Sequence, residues 1–322
     1  MIDLRIVVPG PMPPAVLDLL EAEPRVAHVV LLTGTSFCGP GLDRGDTLIC
    51  LVAREAASDV IAQVRAAGLH TEAGIVIEEV EAVDSPAAAR AERAAPGAPE
   101  DGIVWDVVRR RAADDARLSW SYFAFLTLAT AIAAVAVITD SPILIVGAMV
   151  VGPEFGPVSA IAVGLVLRRR HLLAGAGQLL LIGFAVAILL VAVLAVLARA
   201  ADWVSAADVL APRPQTGFVW RPDRWSVVVA LLAGAAGVLS LTAGRGNALV
   251  GVFISVTTVP AAGNLALALA FVDQPRMVAE IGGAATQLGV NLLGMVVAGA
   301  VVLAVQRVLT DPRFRPARNP RR

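Results

Sequence analysis

From residue 119 onward the chain is organised by six apolar stretches, at 119–139, 143–167, 172–197, 225–243, 248–272 and 278–305. Each has about the 20 residues that a helix needs to cross a hydrocarbon core of about 30 Å. Backbone groups in lipid must be satisfied within the segment, so such stretches are expected as helices. Composition agrees: hydrophobic residues make up 57% and charged residues 16%, against about 45–50% and about 25% in soluble domains. An ordinary water-soluble enzyme does not have this balance.

The formal net charge of −1 averages two unlike parts. Residues 1–118 carry 11 Arg against 19 acidic residues, net −8, and residues 119–322 carry 15 Arg against 8, net +7. All five tryptophans, Trp105, Trp120, Trp203, Trp220 and Trp225, fall at or beside the ends of apolar stretches, as indole rings do at the headgroup level. Arg109–Arg111 with Arg117, Arg168–Arg170, Arg245 and the tail from Arg307 to Arg322 fall on one side of the expected bundle. The turn 139–143, the loop 198–224 and the turn 273–277 fall on the other. The positive-inside rule then places both termini in the cytoplasm, below a bacterial inner membrane crossed several times.

Residues 1–83 read as a soluble head with strands at 2–8, 26–34, 47–53 and 74–83 and helices at 13–24 and 54–68. This β-α-β-β-α-β order predicts a ferredoxin-like α+β domain. Its start, MIDLRIVVPG, does not read as a secretory signal. Cys38 and Cys50 lack metal-ligand spacing and read as reduced thiols. The loop Gly39-Pro40-Gly41 with Gly45 holds a ligand or simply joins two strands. Residues 84–101 are Ala-, Pro- and charge-rich and read as a linker. Residues 102–118 set Ile103, Val104, Val107 and Val108 against Arg109–Arg111, which predicts an interfacial amphipathic helix or an extension of the first span. The transmembrane domain runs over 119–305, and 306–322 is a basic cytoplasmic tail.

Two of the six stretches are interrupted. The second holds Gly152-Pro153-Glu154-Phe155-Gly156-Pro157 at its middle, and the fifth holds Ser255, Thr257, Thr258, Pro260 and Gly263. Proline removes a backbone donor and clashes with the preceding turn, so two broken helices are expected. Each half reads long, broken, long, with Pro142 to Pro153 parallel to Asn247 to Pro260. Three crossings per half make this a 3+3 inverted repeat, whose paired interruptions point to a solute site at the midplane. Close packing by Gly and Pro is the other reading. Glu154 stands out as a carboxylate deep in a span, to carry a proton, to coordinate a cation, or to cap the half-helix that follows it. Gln287 and Asn291, four apart and on one helix face, join Ser255, Thr257, Thr258 and Asn264 as a polar path or as hydrogen bonds between helices. Asp140 and Ser141 cap the second stretch or gate it. Arg245 anchors topology or attracts anions. Glu280 is placed at the interface.

The stretch LSWSYFAFLTLATAIAAVAVITDSPILIVGAMVVGPEFGPVSAIAVGL at 118–165 resembles the core signature of the domain-of-unknown-function 389 family, hydrophobic membrane proteins found mostly in bacteria. ALLAGAAGVLSL at 230–241, NALVGVFISVTTVPAAGNLALALA at 247–270 and GVNLLG at 289–294 fit as well. The resemblance covers about 119–305 and implies the membrane class and the core region, with no activity attached.

The reading that follows is an integral membrane transporter or channel for a small solute or ion, with a regulatory head. The alternative is a membrane sensor or scaffold whose head binds a ligand or partner. No His-Glu metal motif, no GxSxG elbow and no phosphate-cradling GxxxxGK occurs, so catalysis, cofactors and nucleic acid are not expected. The partners expected are the lipid bilayer, the solute and further copies of the chain, through small-residue runs at 233–237 and 282–283.

Overall fold

Alternation of apolar and polar residues builds the first unit of the chain, Met1–Val108. β1 (Ile2–Val7) buries Ile2, Leu4 and Ile6 and turns Asp3 and Arg5 to the other face. The computed structural model describes residues 1–37, 44–69, 72–95, 97–243 and 257–310. After β1 come α1 (Pro14–Ala22), β2 (Val26–Phe37), β3 (Arg44–Val52), α2 (Ala57–Ala66) and β4 (Gly74–Glu79). The four strands form one sheet in the order β2-β3-β1-β4, antiparallel at every pairing. β3 therefore lies between the two strands that α1 connects, and β1 between the two that α2 connects. Val16 and Leu20 of α1 and Val60, Ile61 and Val64 of α2 close the core over Leu4, Leu48 and Cys50.

The segment expected as a plain linker is partly helical. The Ser85 hydroxyl accepts from the backbone N–H groups of Ala87 and Ala88 and caps α3 (Pro86–Ala94), with Pro86 in its first turn. Its small buried residues, Ala88 and Ala91, let it pack closely against β2. Further on, Ile103, Val104 and Val108 are buried, and Val104 joins the core of the first unit. The Ser58 hydroxyl donates to the Ile103 carbonyl and accepts from the Trp105 N–H. The apolar side of 102–108 is thus covered by protein rather than by lipid. The boundary between the two units falls inside α4 (Trp105–Asp115).

The second unit, Arg109–Arg322, is helical among its described residues. It holds α5 (Trp120–Ile138), α6 (Pro142–Val151), α7 (Phe155–Val166), α8 (Arg170–Ala200), α9 (Ala206–Leu210), α10 (Arg224–Thr242), α11 (Thr258–Ala270) and α12 (Pro275–Thr310). Of these, α5, α8, α10 and α12 are long and apolar enough to cross a membrane. α6 and α7 meet at a 53° bend and make either one broken span or a re-entrant loop. The expected six crossings are therefore four or five among the described residues. Of the fifth apolar stretch only α11 and Thr257 are described; Ser255 and Arg245 lie outside the described residues, as do Cys38, the Gly39-Pro40-Gly41 loop and the tail beyond Thr310. Leu181, Leu189, Leu232 and Leu293 stand exposed along the long helices, a surface that water does not favour and lipid does. Trp120, Trp203 and Trp225 are exposed beside helix ends, as a headgroup belt requires.

Helix direction sorts the connections into two ends. At one, Arg199 pairs with Asp273, Arg276 donates to the Leu210 carbonyl, and Asp140 binds Gln215 and Thr216. At the other, Arg307 donates to the Val166 carbonyl at 2.6 Å and Gln306 to the Thr242 hydroxyl at 3.0 Å. Glycines set the helix approaches within the unit. A Cβ on Gly234 would strike the Met295 backbone, and one on Gly237 the Phe155 ring. These two positions of the 233–237 run are thus occupied inside one chain.

Candidate functional site

The prolines of the broken stretch do different jobs. Pro153 lacks an N–H and disfavours helical geometry at the residue before it. Gly152 accordingly turns extended, with φ −65° and ψ 128°, and ends α6. Pro157 is the third residue of α7, and Pro260 is the third residue of α11. Neither interrupts a ladder, because first-turn N–H groups have no partner within a helix. Among the described residues this pattern makes one break, at 152–154, and two helix starts, at Phe155 and Thr258.

Glu154 and Thr257 occupy the same place in these two starts, the N-cap position, and neither side chain caps its own helix. Glu154 is 5% exposed and its Oε2 has no hydrogen-bond partner among the described residues. A Cβ on Gly152 would collide with that oxygen and with Cγ2 of Val259, in the first turn of α11. The carboxylate therefore lies where the α6–α7 break meets the start of α11, and only glycine leaves it room. Thr257 Oγ1 accepts from Gln287 Nε2 at 2.9 Å and from Asn291 Nδ2 at 3.0 Å, both on α12. Thr258 is fully buried, and among the described residues neither its hydroxyl nor Gln287 Oε1 has a partner. The Tyr122 hydroxyl on α5 is also buried without a partner, close enough to Glu154 for the two to interact electrostatically. The Phe155 ring is seated on Gly237 of α10.

The fold thus gathers Gly152, Pro153, Glu154, Gly156, Thr257, Thr258, Pro260, Gln287 and Asn291 around the two half-helix starts. Asn264 belongs to a separate cluster. Its Oδ1 accepts from Arg213 Nη1 at 2.8 Å and its Nδ2 donates to Glu280 Oε2 at 3.3 Å. Arg213 Nη2 donates to both Glu280 oxygens, at 2.5 and 2.7 Å, and Arg276 Nε adds a fourth bond at 3.1 Å. Glu280 is 1% exposed, because the loop after α9 folds inward and carries its counter-ion to it near the start of α12. Ser141 caps α6 through the Leu144 N–H. Asp140, at φ 48°, instead accepts from the Thr216 hydroxyl and from the N–H groups of Gln215 and Thr216. Desolvation works against its charge, yet these bonds hold the carboxyl below its ordinary value.

Sequence reasoning missed Tyr122, Arg213 and Arg276. Tyr122 is the single tyrosine of the chain, a signal that was there to use. Arg213, between Pro212 and Pro214 in a mixed-charge loop, gives no sign that it will be buried. Among the described residues no group of three or more His, Cys, Asp or Glu could hold a metal ion.

Residues 149–297 match the family described as Domain of unknown function (DUF389). The match agrees with the resemblance carried by the sequence and spans both half-helix starts and the α12 residues that face Thr257. No curated protein and no solved structure matches the chain.

Proposed function

We propose that this membrane protein is a transporter or channel-like protein, and that its small solute or ion binds where the two half-helix starts meet. The observation that carries this reading is the Glu154 carboxylate, buried and unpartnered beside Gly152 and Val259. Interrupted helices whose ends meet inside a bundle are how several transporter architectures hold a solute away from lipid. Helix lengths support a repeat: α5 and α10 have 19 residues each, and the half-helices α7 and α11 have 12 and 13 with proline third in both. Paired elements run in opposite directions, as an inverted 3+3 arrangement with six crossings demands. In this reading the arginine-bearing end and both termini face the cytoplasm of a bacterial inner membrane. The ferredoxin-like head regulates the site, several copies assemble, and no reaction is catalysed.

A non-transporting sensor draws support from the glycines, which are used in close helix contacts. It does not account for the unpartnered oxygens at the junction, since a scaffold gains nothing from leaving them bare. The deciding experiment screens solutes by thermal shift on the purified full-length chain, then measures their flux in liposomes. Flux that is lost in Glu154→Gln is expected. Flux unchanged in that variant removes Glu154 from the mechanism, and solute binding without flux leaves the sensor.

A further inference from the structure

Among its described residues the second unit buries two carboxylates, and it treats them differently. Glu280 receives four hydrogen bonds, from Arg213, Asn264 and Arg276. Glu154 Oε2, by contrast, is bare among the described residues. A bare carboxylate in a low-dielectric interior is costly and is tolerated where something outside the protein completes it.

The surroundings say what completes it. The unpartnered side-chain atoms on residues of the junction are Glu154 Oε2, Thr258 Oγ1, Gln287 Oε1 and the Tyr122 hydroxyl, all of them oxygens. The unpartnered side-chain nitrogens among the described residues of this unit, Arg213 Nε and Trp220 Nε1, belong to the 202–223 loop and not to the two helix starts or α12. Carboxylate, carbonyl and hydroxyl oxygens suit hard cations. The N-terminus of α7 favours negative charge, and Glu154 already supplies it. One carboxylate balances one positive charge. A second carboxylate stands beside the same helix start: Asp115 lies against the first turn of α7, its Cβ 3.3 Å and its Oδ2 3.5 Å from where a Cβ of Gly156 would be. An exposed and a buried carboxylate thus flank one helix start.

We propose that the junction binds a dehydrated alkali cation through Glu154, Thr258 and Gln287, with Asp115 drawing it in. This rests on the reading of the junction as a solute site and names the class of its ligand. The test is thermal unfolding of the full-length chain in sodium, potassium or lithium chloride against choline chloride at equal ionic strength. One alkali cation is expected to raise Tm saturably while choline does not. The rise disappears in Glu154→Gln. Asp115→Asn keeps the full rise but needs a higher cation concentration to reach half of it. Thr258→Val, which keeps the shape, weakens binding severalfold and serves if Glu154→Gln does not fold. An equal rise in all salts, an unchanged rise in Glu154→Gln or Thr258→Val, or a response to pH alone overturns the proposal. Cation binding without flux would sink only the transport reading, and flux indifferent to alkali cations would sink only the cation.

Discussion

Removing one side of the Arg213–Glu280 pair is expected to be among the most damaging substitutions in the second unit. The side chains are 3% and 1% exposed and joined by two bonds of 2.5 and 2.7 Å. Breaking such a buried pair from one side costs about 3–5 kcal/mol, because the survivor stays charged and dry. The two sides are not equivalent. Glu280→Gln leaves Arg213 with Asn264 Oδ1 and an Nε that already lacks a partner. Arg213→Met leaves Glu280 with Arg276, whose side chain is 39% exposed. Glu280→Gln therefore belongs near the top of the range of about 3–5 kcal/mol and Arg213→Met near the bottom. The double variant Arg213→Met/Glu280→Leu buries no ion of this pair and is expected within about 1–2 kcal/mol of the parent, since apolar replacement of a buried pair is often neutral. Reversible unfolding in mixed detergent micelles, run as a double-mutant cycle, measures all four corners. Single losses below about 1 kcal/mol, the scale of exposed pairs, or additive single effects would refute the reasoning.

Glycine contacts separate cleanly by position. Gly237→Ala drives a methyl into the Phe155 ring and should cost about 1–3 kcal/mol as overpacking, while Gly282→Ala meets nothing within 4 Å and should leave Tm unchanged or raise it; thermal melts compare them. Burial, with the Asp3 carboxylate adding to it, pushes the Cys50 thiol up to about 12, so peptide mapping after iodoacetamide at neutral pH should find Cys50 unmodified until the head is unfolded. Hydrogen bonds from Arg199 and Gln274 hold Asp273 well below the usual carboxylate range, and Asp140 is lowered as described above. Stability from depressed carboxyls is complete above their unfolded values, about 4, and is lost as pH falls through the folded ones. The 201–223 connection should accordingly become protease-sensitive in strong acid and be indifferent to pH above neutrality, which limited digestion across a pH series would show.

What the sequence made legible was periodic. Alternation in Ile2, Leu4 and Ile6 announced a strand with one buried face, and the strand order followed. Apolar length announced the long helices. What it obscured depended on contact. The alanines at 88 and 91 carry no apolar period strong enough to reveal α3, whose cap is Ser85 and whose support is β2. Val104 looked like a lipid-facing residue because a helix face is blind to which apolar phase covers it. Proline content alone predicts breaks, although position within a helix decides: Pro153 ends one, while Pro157 and Pro260 sit in first turns. Thr257, Gln287 and Asn291 were recoverable because two of them share a helix face. Asn264, in the same helix as Thr258, went to the other cluster because its partner comes from a loop.

The two buried glutamates turn this distinction into a measurement. Glu154 lies deep in an apolar stretch, and Glu280 lies near the end of one. Depth along a span is readable in one dimension, whereas a counter-ion 67 residues away is not. Their energetics should be opposite. Neutralising Glu280 strands Arg213, so Glu280→Gln destabilises. Neutralising Glu154 removes a charge that no side chain balances among the described residues, so Glu154→Gln should unfold at the same or a higher temperature than the parent when alkali cations are absent. Functional groups commonly stand at such a cost to stability. If Glu154→Gln instead lowered Tm as far as Glu280→Gln does, the carboxylate at the junction would be a structural element with a partner of its own, and the reasoning from its bareness would fail.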